Sequence, residues 1–265
     1  MDPASIIGII LAFGALAGMM FIEGTGFDSI LLPAPLILVF GASIAVTIAS
    51  VTIADTIVAV KALPSAFVGR VPKPADAIEP LVRYATIARR DGVLALEREA
   101  SAADDPYVRI ALQNIADGMD PEQMQVLLED EMETRTKPGA TASRFFTTMG
   151  GYAPTIGIVG TVVALTHVLE NLSEPEKLGP SIAAAFVATL WGVLSANFLW
   201  LPIGNRLARI NELEAERMLL ILEGMMAIQQ GTQPGVLGER LHALAGGKPG
   251  GGTSRAAPQR EAIQE

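Results

Sequence analysis

The chain lacks cysteine altogether and contains only two histidines in 265 residues. Without cysteine there can be no disulfide, thiolate metal site or cysteine nucleophile, and two histidines are too few for a histidine-rich metal centre. The Walker A, Gly-x-Ser-x-Gly and His-Glu-x-x-His patterns are missing as well. We therefore expect no enzymatic activity, no metal and no cofactor.

Charge is also scarce. Only 18% of the residues are charged and the net charge is −9, whereas an average soluble domain is about 25% charged. An acidic balance argues against nucleic acid as a partner, because proteins that bind nucleic acid concentrate positive charge. Half of the residues are hydrophobic and the mean hydropathy is +0.41. This composition favours a membrane protein.

The hydrophobic residues are concentrated in four runs, each long enough to cross a hydrocarbon core at about 1.5 Å per helical residue. The runs are Ala4–Ile22, Pro35–Val60, Tyr152–Leu169 and Ile182–Ile203. Helical spacing of apolar residues recurs in the polar insert between the second and third runs, where Asp120 is a predicted N-cap. The fold class predicted is all-α: a polytopic membrane protein with four transmembrane helices and a helical cytoplasmic domain.

The Lys and Arg residues indicate the orientation. Eighteen of the nineteen lie within 61–151 or beyond residue 203, whereas loop 23–34 has none and loop 170–181 has only Lys177. The positive-inside rule then places the insert and the C-terminus in the cytoplasm, with the chain in the inner membrane. The predicted domains are 1–60 (first two transmembrane helices), 61–151 (cytoplasmic insert), 152–203 (last two transmembrane helices), 204–244 (C-terminal cytoplasmic helix) and 245–265 (disordered tail).

Polar residues inside the runs are few. Counting along the helices places Thr161 and Thr189 close to the membrane midplane on adjacent antiparallel helices, where they could form a shared hydroxyl site. Alternatively, each hydroxyl bonds the carbonyl four residues earlier and has no further role. We assign that simpler role to Thr47, Thr52 and Thr56.

No Asp, Glu, Lys or Arg falls near the middle of any run. An ion relay through a bilayer normally needs an ionisable group there, so a conducting assembly would require an acid from a partner chain. His167 lies toward the outer end of the third run, where an interfacial histidine is expected.

Two further patterns have more than one interpretation. Small residues recur every fourth position in the fourth run, at Ala184, Ala188, Gly192 and Ala196, which favours close helix packing either within the chain or between subunits. Pro154 and Pro202 lie near the cytoplasmic ends of the last two runs. They mark either helix boundaries or a pair of hinges.

The insert contains a charged segment around an Asp-Gly break, Ala88-Arg89-Arg90-Asp91-Gly92-Val93-Leu94-Ala95-Leu96-Glu97. Taken alone, this pattern fits a solvated helix surface. Together with Ala153–Thr161, Leu178–Ala183, Ala188–Gly192, Leu201–Ile203 and Glu223–Gly231, however, it resembles the flagellar stator A subunits, the MotA/PomA family within the MotA/TolQ/ExbB proton channel superfamily.

The resemblance implies a homo-oligomeric ring, expected to be a pentamer, around a MotB/PomB-type B subunit that supplies the membrane Asp. It implies that Thr161 and Thr189 line the ion pathway and that Pro154 and Pro202 couple ion passage to conformational change. It also implies that Arg89, Arg90 and Glu97 contact the rotor switch protein FliG. Ala188 departs from the Thr usual in sodium-type members, so proton and sodium both stay open as the coupling ion.

The function expected from the resemblance is coupling of inward proton or sodium flow to torque on the flagellar rotor. The alternative is a TolQ/ExbB-type subunit that couples proton flow to envelope processes. The second apolar run and the Arg89–Glu97 segment argue against that alternative, because such subunits usually have three spans.

Overall fold

The computed structural model describes residues 4–69 and 71–246, and these contain helices and turns but no strand. Apart from Ala245 and Gly246, the predicted disordered tail lies outside the described residues. The all-α prediction is confirmed. Three helical stretches among the described residues are long and apolar enough to cross a membrane, namely Ala4–Glu23, Pro121–Glu170 and Leu178–Gln229, and Pro33–Ala49 is a shorter apolar helix.

The α-helices in chain order are α1 (Ala4–Glu23), α2 (Pro33–Leu36), α3 (Ala42–Ala49), α4 (Ile53–Val68), α5 (Ile78–Asp91), α6 (Leu96–Ala102), α7 (Pro106–Ala116), α8 (Pro121–Glu170), α9 (Pro175–Ser195), α10 (Leu201–Gln229) and α11 (Pro234–Leu244). Two π-helical turns, Ile37–Gly41 and Ala196–Trp200, join α2 to α3 and α9 to α10. Short 3₁₀ turns occur at Phe27–Ser29, Pro74–Ala77 and Val93–Ala95. Asp120 accepts hydrogen bonds from the Glu122 and Gln123 amides, which confirms it as the N-cap of α8.

The second apolar run is not one helix. It stops at Ala49 and restarts at Ile53, because Thr52 and Asp55 form a capping box in which each side chain bonds the other residue's backbone N–H. The prediction that Thr52 is back-bonded is therefore wrong. For Thr47 and Thr56 the prediction is confirmed, since their hydroxyls donate to the Ser43 and Thr52 carbonyls.

The described residues form two compact units, one from 4–72 and 133–213 and the other from 73–132 and 214–246. In the first unit, the apolar helices are held together by aromatic contacts and small residues. Phe13 meets Phe198 edge-on at 5.6 Å between ring centroids, and the Trp191 indole donates to the Ile30 carbonyl at 2.6 Å. A separate cluster packs α4 on α8 and α10; its central residues are Ala59, Ala66, Ala142, Phe145, Phe146, Met149, Ile203 and Leu207.

The second unit has a conventional helical core. Tyr107, Leu112, Leu128 and Met225 are fully buried, and the Tyr107 hydroxyl donates to the Leu128 carbonyl at 3.1 Å. This core holds α5 and the start of α6, because Tyr84 and Leu96 are among its buried members and Ile87 and Ala88, closer to the end of α5, pack against it. The connection between α5 and α6 is therefore a turn with firmly held ends.

Candidate functional site

The structure brings the two predicted threonines together. The Thr161 and Thr189 hydroxyls are in direct contact, and the Thr161 hydroxyl also lies 3.1 Å from the carbonyls of Gly157 and Ala185. Thr161 therefore bonds back along its own helix and also reaches across to α9, whereas a role of the pair in an ion path stays a prediction. Both residues are half-buried in the isolated chain, so the pair has one open side.

Close helix packing explains why the hydroxyls meet. A Cβ added to Gly157 would lie 2.8 Å from the Ala188 carbonyl, and one added to Gly192 would lie 2.8 Å from the Ala153 carbonyl. Only glycine allows α8 and α9 to approach this closely at those positions. The small-residue pattern of the fourth run thus serves packing within the chain at Ala188 and Gly192.

The polar groups at the Thr161–Thr189 pair are uncharged hydroxyl and carbonyl oxygens. From residue 145 to 166 on α8, and from 178 to 205 on α9 and α10, the sequence has no Asp, Glu, Lys, Arg or His. Hydroxyl and carbonyl oxygens can accept hydrogen bonds from water or contact a cation, and a hydroxyl can also donate. They cannot carry the proton or the charge themselves at neutral pH, so the pair can line a path but cannot supply its titrating group.

The two predicted hinge prolines have different surroundings. Pro154 lies inside the continuous helix α8, so the interpretation as a helix boundary is wrong for this residue. Pro202 is the second residue of α10, and Leu201 separates it from the π-helical turn Ala196–Trp200. Proline lacks an N–H, and its ring crowds the carbonyl four residues earlier. A π-turn changes the hydrogen-bond pattern of the helix and so accommodates both the missing donor and the crowding. No pattern in the sequence indicates this π-turn.

The predicted rotor-contact residues share one exposed turn. α5 ends at Asp91, Gly92 follows with φ +84°, and the 3₁₀ turn Val93–Ala95 leads into α6. Arg89, Arg90 and Glu97 are all exposed. This geometry confirms the Asp-Gly break and leaves the rotor role as a prediction.

Arg90 is paired within the turn, which the sequence analysis missed. Its Nε and Nη2 donate to the two Asp91 carboxylate oxygens at 2.9 and 2.7 Å. The hydrogen bond from Arg90, assisted by its charge, lowers the pKa of the Asp91 carboxyl. Arg90 and Asp91 are neighbours in the sequence, but adjacent residues of a helix rarely face each other. The pairing becomes possible here because the helix ends at Asp91.

A second ion cluster lies in the same unit. Arg217 donates to Asp105 at 2.5 Å and to both Glu214 oxygens at 3.0 and 3.2 Å. Partial burial works against the cation, but the hydrogen bonds and charges of Glu214 and Asp105 outweigh it and raise the pKa of Arg217. Asp105 also caps α7 by accepting from the Tyr107 amide, so the cluster links α7 to α10.

Comparison with known families supports the resemblance seen in the sequence. Residues 99–219 match the MotA/TolQ/ExbB proton channel family, and residues 6–91 match the motility protein A N-terminal region. Motility protein A of Bacillus subtilis is 34% identical over 91% of this chain and 90% of its own length. Chemotaxis protein PomA of Vibrio alginolyticus is 29% identical over 91% and 94% of the two chains.

Solved structures agree with these matches. The structure of C. jejuni MotAB contains a chain that superposes with a TM-score of 0.87, at 25% identity, covering 99% of this chain and 100% of that one. A chain of the flagellar MotAB stator complex from Bacillus subtilis gives a TM-score of 0.83 at 29% identity, covering 91% and 95%. The predicted membrane fold with a helical cytoplasmic region is thereby confirmed.

Proposed function

Because this chain belongs to the motility protein A family, we propose that it is the A subunit of a flagellar stator, which couples inward proton or sodium flow to torque on the rotor. The match of residues 6–91 to the motility protein A N-terminal region favours this function over a TolQ/ExbB-type role. The relatives are motility and stator proteins, and the proposal contains no enzymatic step.

One observation carries the ion-coupling part of the proposal: a hydroxyl pair, Thr161 and Thr189, in apolar helices without any ionisable group around it. A relay in which an ionisable group carries the ion needs a titrating acid, which beside this lining must come from another chain. A MotB/PomB-type B subunit would provide that acid as a membrane Asp. Binding and release of the ion then change the charge on the Asp. This charge determines which A subunit of the ring the Asp contacts most favourably.

The cytoplasmic part would transmit each step. In the proposed topology the last two transmembrane helices include Pro154 and Pro202, and the insert and the C-terminus lie on the cytoplasmic side of the inner membrane. Pro154 inside α8 and the π-turn before Pro202 give each of these helices a point of altered backbone hydrogen bonding. Arg89, Arg90 and Glu97 then contact the rotor switch protein FliG, where complementary charges orient the partner.

Swimming of a stator-null strain that expresses this chain with its B subunit tests these roles. Pro154→Leu and Arg90→Glu should each abolish motility while the subunits still assemble, as judged by co-purification of the A and B subunits from membranes. Unimpaired swimming of both variants would remove the proposed roles of the hinge and the rotor-contact turn.

A further inference from the structure

The turn that joins α5 to α6 exposes a large apolar side chain at its tip. Leu94 is 72% exposed and its neighbour Val93 is 40% exposed, whereas Leu96, two residues later, is fully buried in the core. The exposed residues Arg89, Arg90 and Glu97 flank this tip in the sequence. The result is an apolar tip with charged residues on both sides.

The tip is held in this conformation by its two ends. Gly92 adopts φ +84°, which side-chain-bearing residues rarely do, and the Ala95 amide donates to the Gly92 carbonyl at 3.1 Å. Leu96 and Tyr84 anchor the flanking helices in the core. Leu94 is therefore displayed by a pre-formed turn, and a partner would not have to order it first.

The charges around the tip are partly satisfied before any partner arrives. Asp91 accepts hydrogen bonds from the Nε and Nη2 atoms of Arg90, which form one edge of the guanidinium, and Glu99 accepts from Arg83 at 3.1 Å. An acidic partner can approach the Nη1 edge of Arg90, but it meets a cation whose charge Asp91 already partly neutralises. Exposed ion pairs of this kind contribute little net affinity, although they orient the partner. Within the described residues, the Arg89 and Glu97 side chains have no such partner.

We infer that Leu94 is the apolar anchor of this turn, and that it inserts into an apolar pocket of the rotor switch protein rimmed by charges complementary to Arg89 and Glu97. A central apolar contact surrounded by polar residues is the usual arrangement of residues that dominate binding energy. The inference rests on the proposed function and adds to it. In this arrangement the charges of Arg89 and Glu97 determine how the rotor switch protein is oriented and how strongly its binding depends on salt, whereas Leu94 determines the affinity of binding.

Binding of the purified rotor switch protein to the complete stator complex in lipid nanodiscs tests the inference, measured at low and at high salt. Leu94→Ala should weaken binding by about tenfold at both, because removal of a buried apolar contact is insensitive to screening. Leu94→Gln, which keeps the side-chain size, should weaken it at least as much. Arg89→Gln should weaken binding at low salt only.

Val236→Ala is the matched control, because Val236 is an apolar residue of the same unit with 55% exposure, and it should leave affinity unchanged. If both Leu94 variants melt like the wild type and bind with wild-type affinity, the inference is overturned while the proposed function stands. It is also overturned if they change the number of subunits in the complex without changing rotor binding. A wild-type complex that binds no rotor protein overturns the proposed function as well.

Discussion

At the scale of single residues, the contact between Thr161 and Thr189 depends on where two hydroxyls fall along two helices. Replacing Thr189 by Val keeps the shape and removes the hydroxyl, whereas Thr189→Ser keeps the hydroxyl. We expect Thr189→Val to slow ion flow roughly fivefold, since loss of one hydrogen bond of about 1 kcal/mol to the passing ion or its water raises the barrier by that amount. Thr189→Ser should stay close to the wild type.

Swimming speed, together with ion flux through the reconstituted A–B complex, measures this effect. Thr166→Val is the control, because the Thr166 hydroxyl bonds only back to the Val162 carbonyl on an exposed face, and it should have little effect. Normal flux in Thr189→Val would show that the hydroxyl pair serves packing alone.

The Arg217 cluster makes a prediction about stability. Arg217→Gln removes the charged hydrogen bonds from Arg217 to Asp105 and Glu214 and should lower the free energy of unfolding by about 1–3 kcal/mol. The pKa of Arg217 is raised in the folded state, so its contribution is complete below the unfolded-state pKa and is lost only above it. The loss in Arg217→Gln should therefore be constant between about pH 6 and pH 9.

Thermal melting of the purified protein across that pH range checks this prediction. Arg240→Gln is the comparison, because the pair of Arg240 with Glu223 is more exposed, and it should shift stability by less than about 1 kcal/mol. Equal losses for the two variants would mean that the Arg217 cluster is no more than a surface ion pair.

At the scale of secondary structure elements, the crossing of α8 and α9 sets the geometry of the hydroxyl pair. Gly157→Ala introduces a methyl group 2.8 Å from the Ala188 carbonyl and 3.1 Å from the Gly192 Cα. The helices must separate to accept it, and such overpacking costs about 1–3 kcal/mol. We expect lower melting temperature and impaired swimming, because the separation also pulls Thr161 away from Thr189.

Gly151→Ala is the matched substitution on α8, where an added Cβ meets nothing within 4 Å. Since alanine favours the helix more than glycine does, it should be neutral or slightly stabilising in a melting experiment. If Gly157→Ala behaves in the same way, the close approach of α8 and α9 is not required for the site.

The elements also show what could be inferred from the sequence and why the rest could not. Hydropathy located the apolar runs, and counting along helices placed Thr161 opposite Thr189. Hydropathy could not detect the break after Ala49, because a capping box of Thr52 and Asp55 depends on local hydrogen bonds rather than on polarity. The small residues of the fourth run predicted close packing at Gly192 but not that Gly157 is its partner, since the positions at which two helices cross depend on their mutual rotation.

At the scale of the whole molecule, the central claim is that the apolar helices form an uncharged lining that conducts only when a B subunit adds an acid. The sequence has no ionisable group in the relevant parts of α8, α9 and α10, and the structure offers hydroxyl and carbonyl oxygens in their place.

Ion flux into proteoliposomes tests this claim most directly. The purified chain alone should pass neither protons nor sodium, the complex with its B subunit should pass one of them, and an Asp→Asn change in the B subunit's membrane helix should stop the flow. Sustained flux through the chain alone, at the rate of the complete complex, would contradict the account.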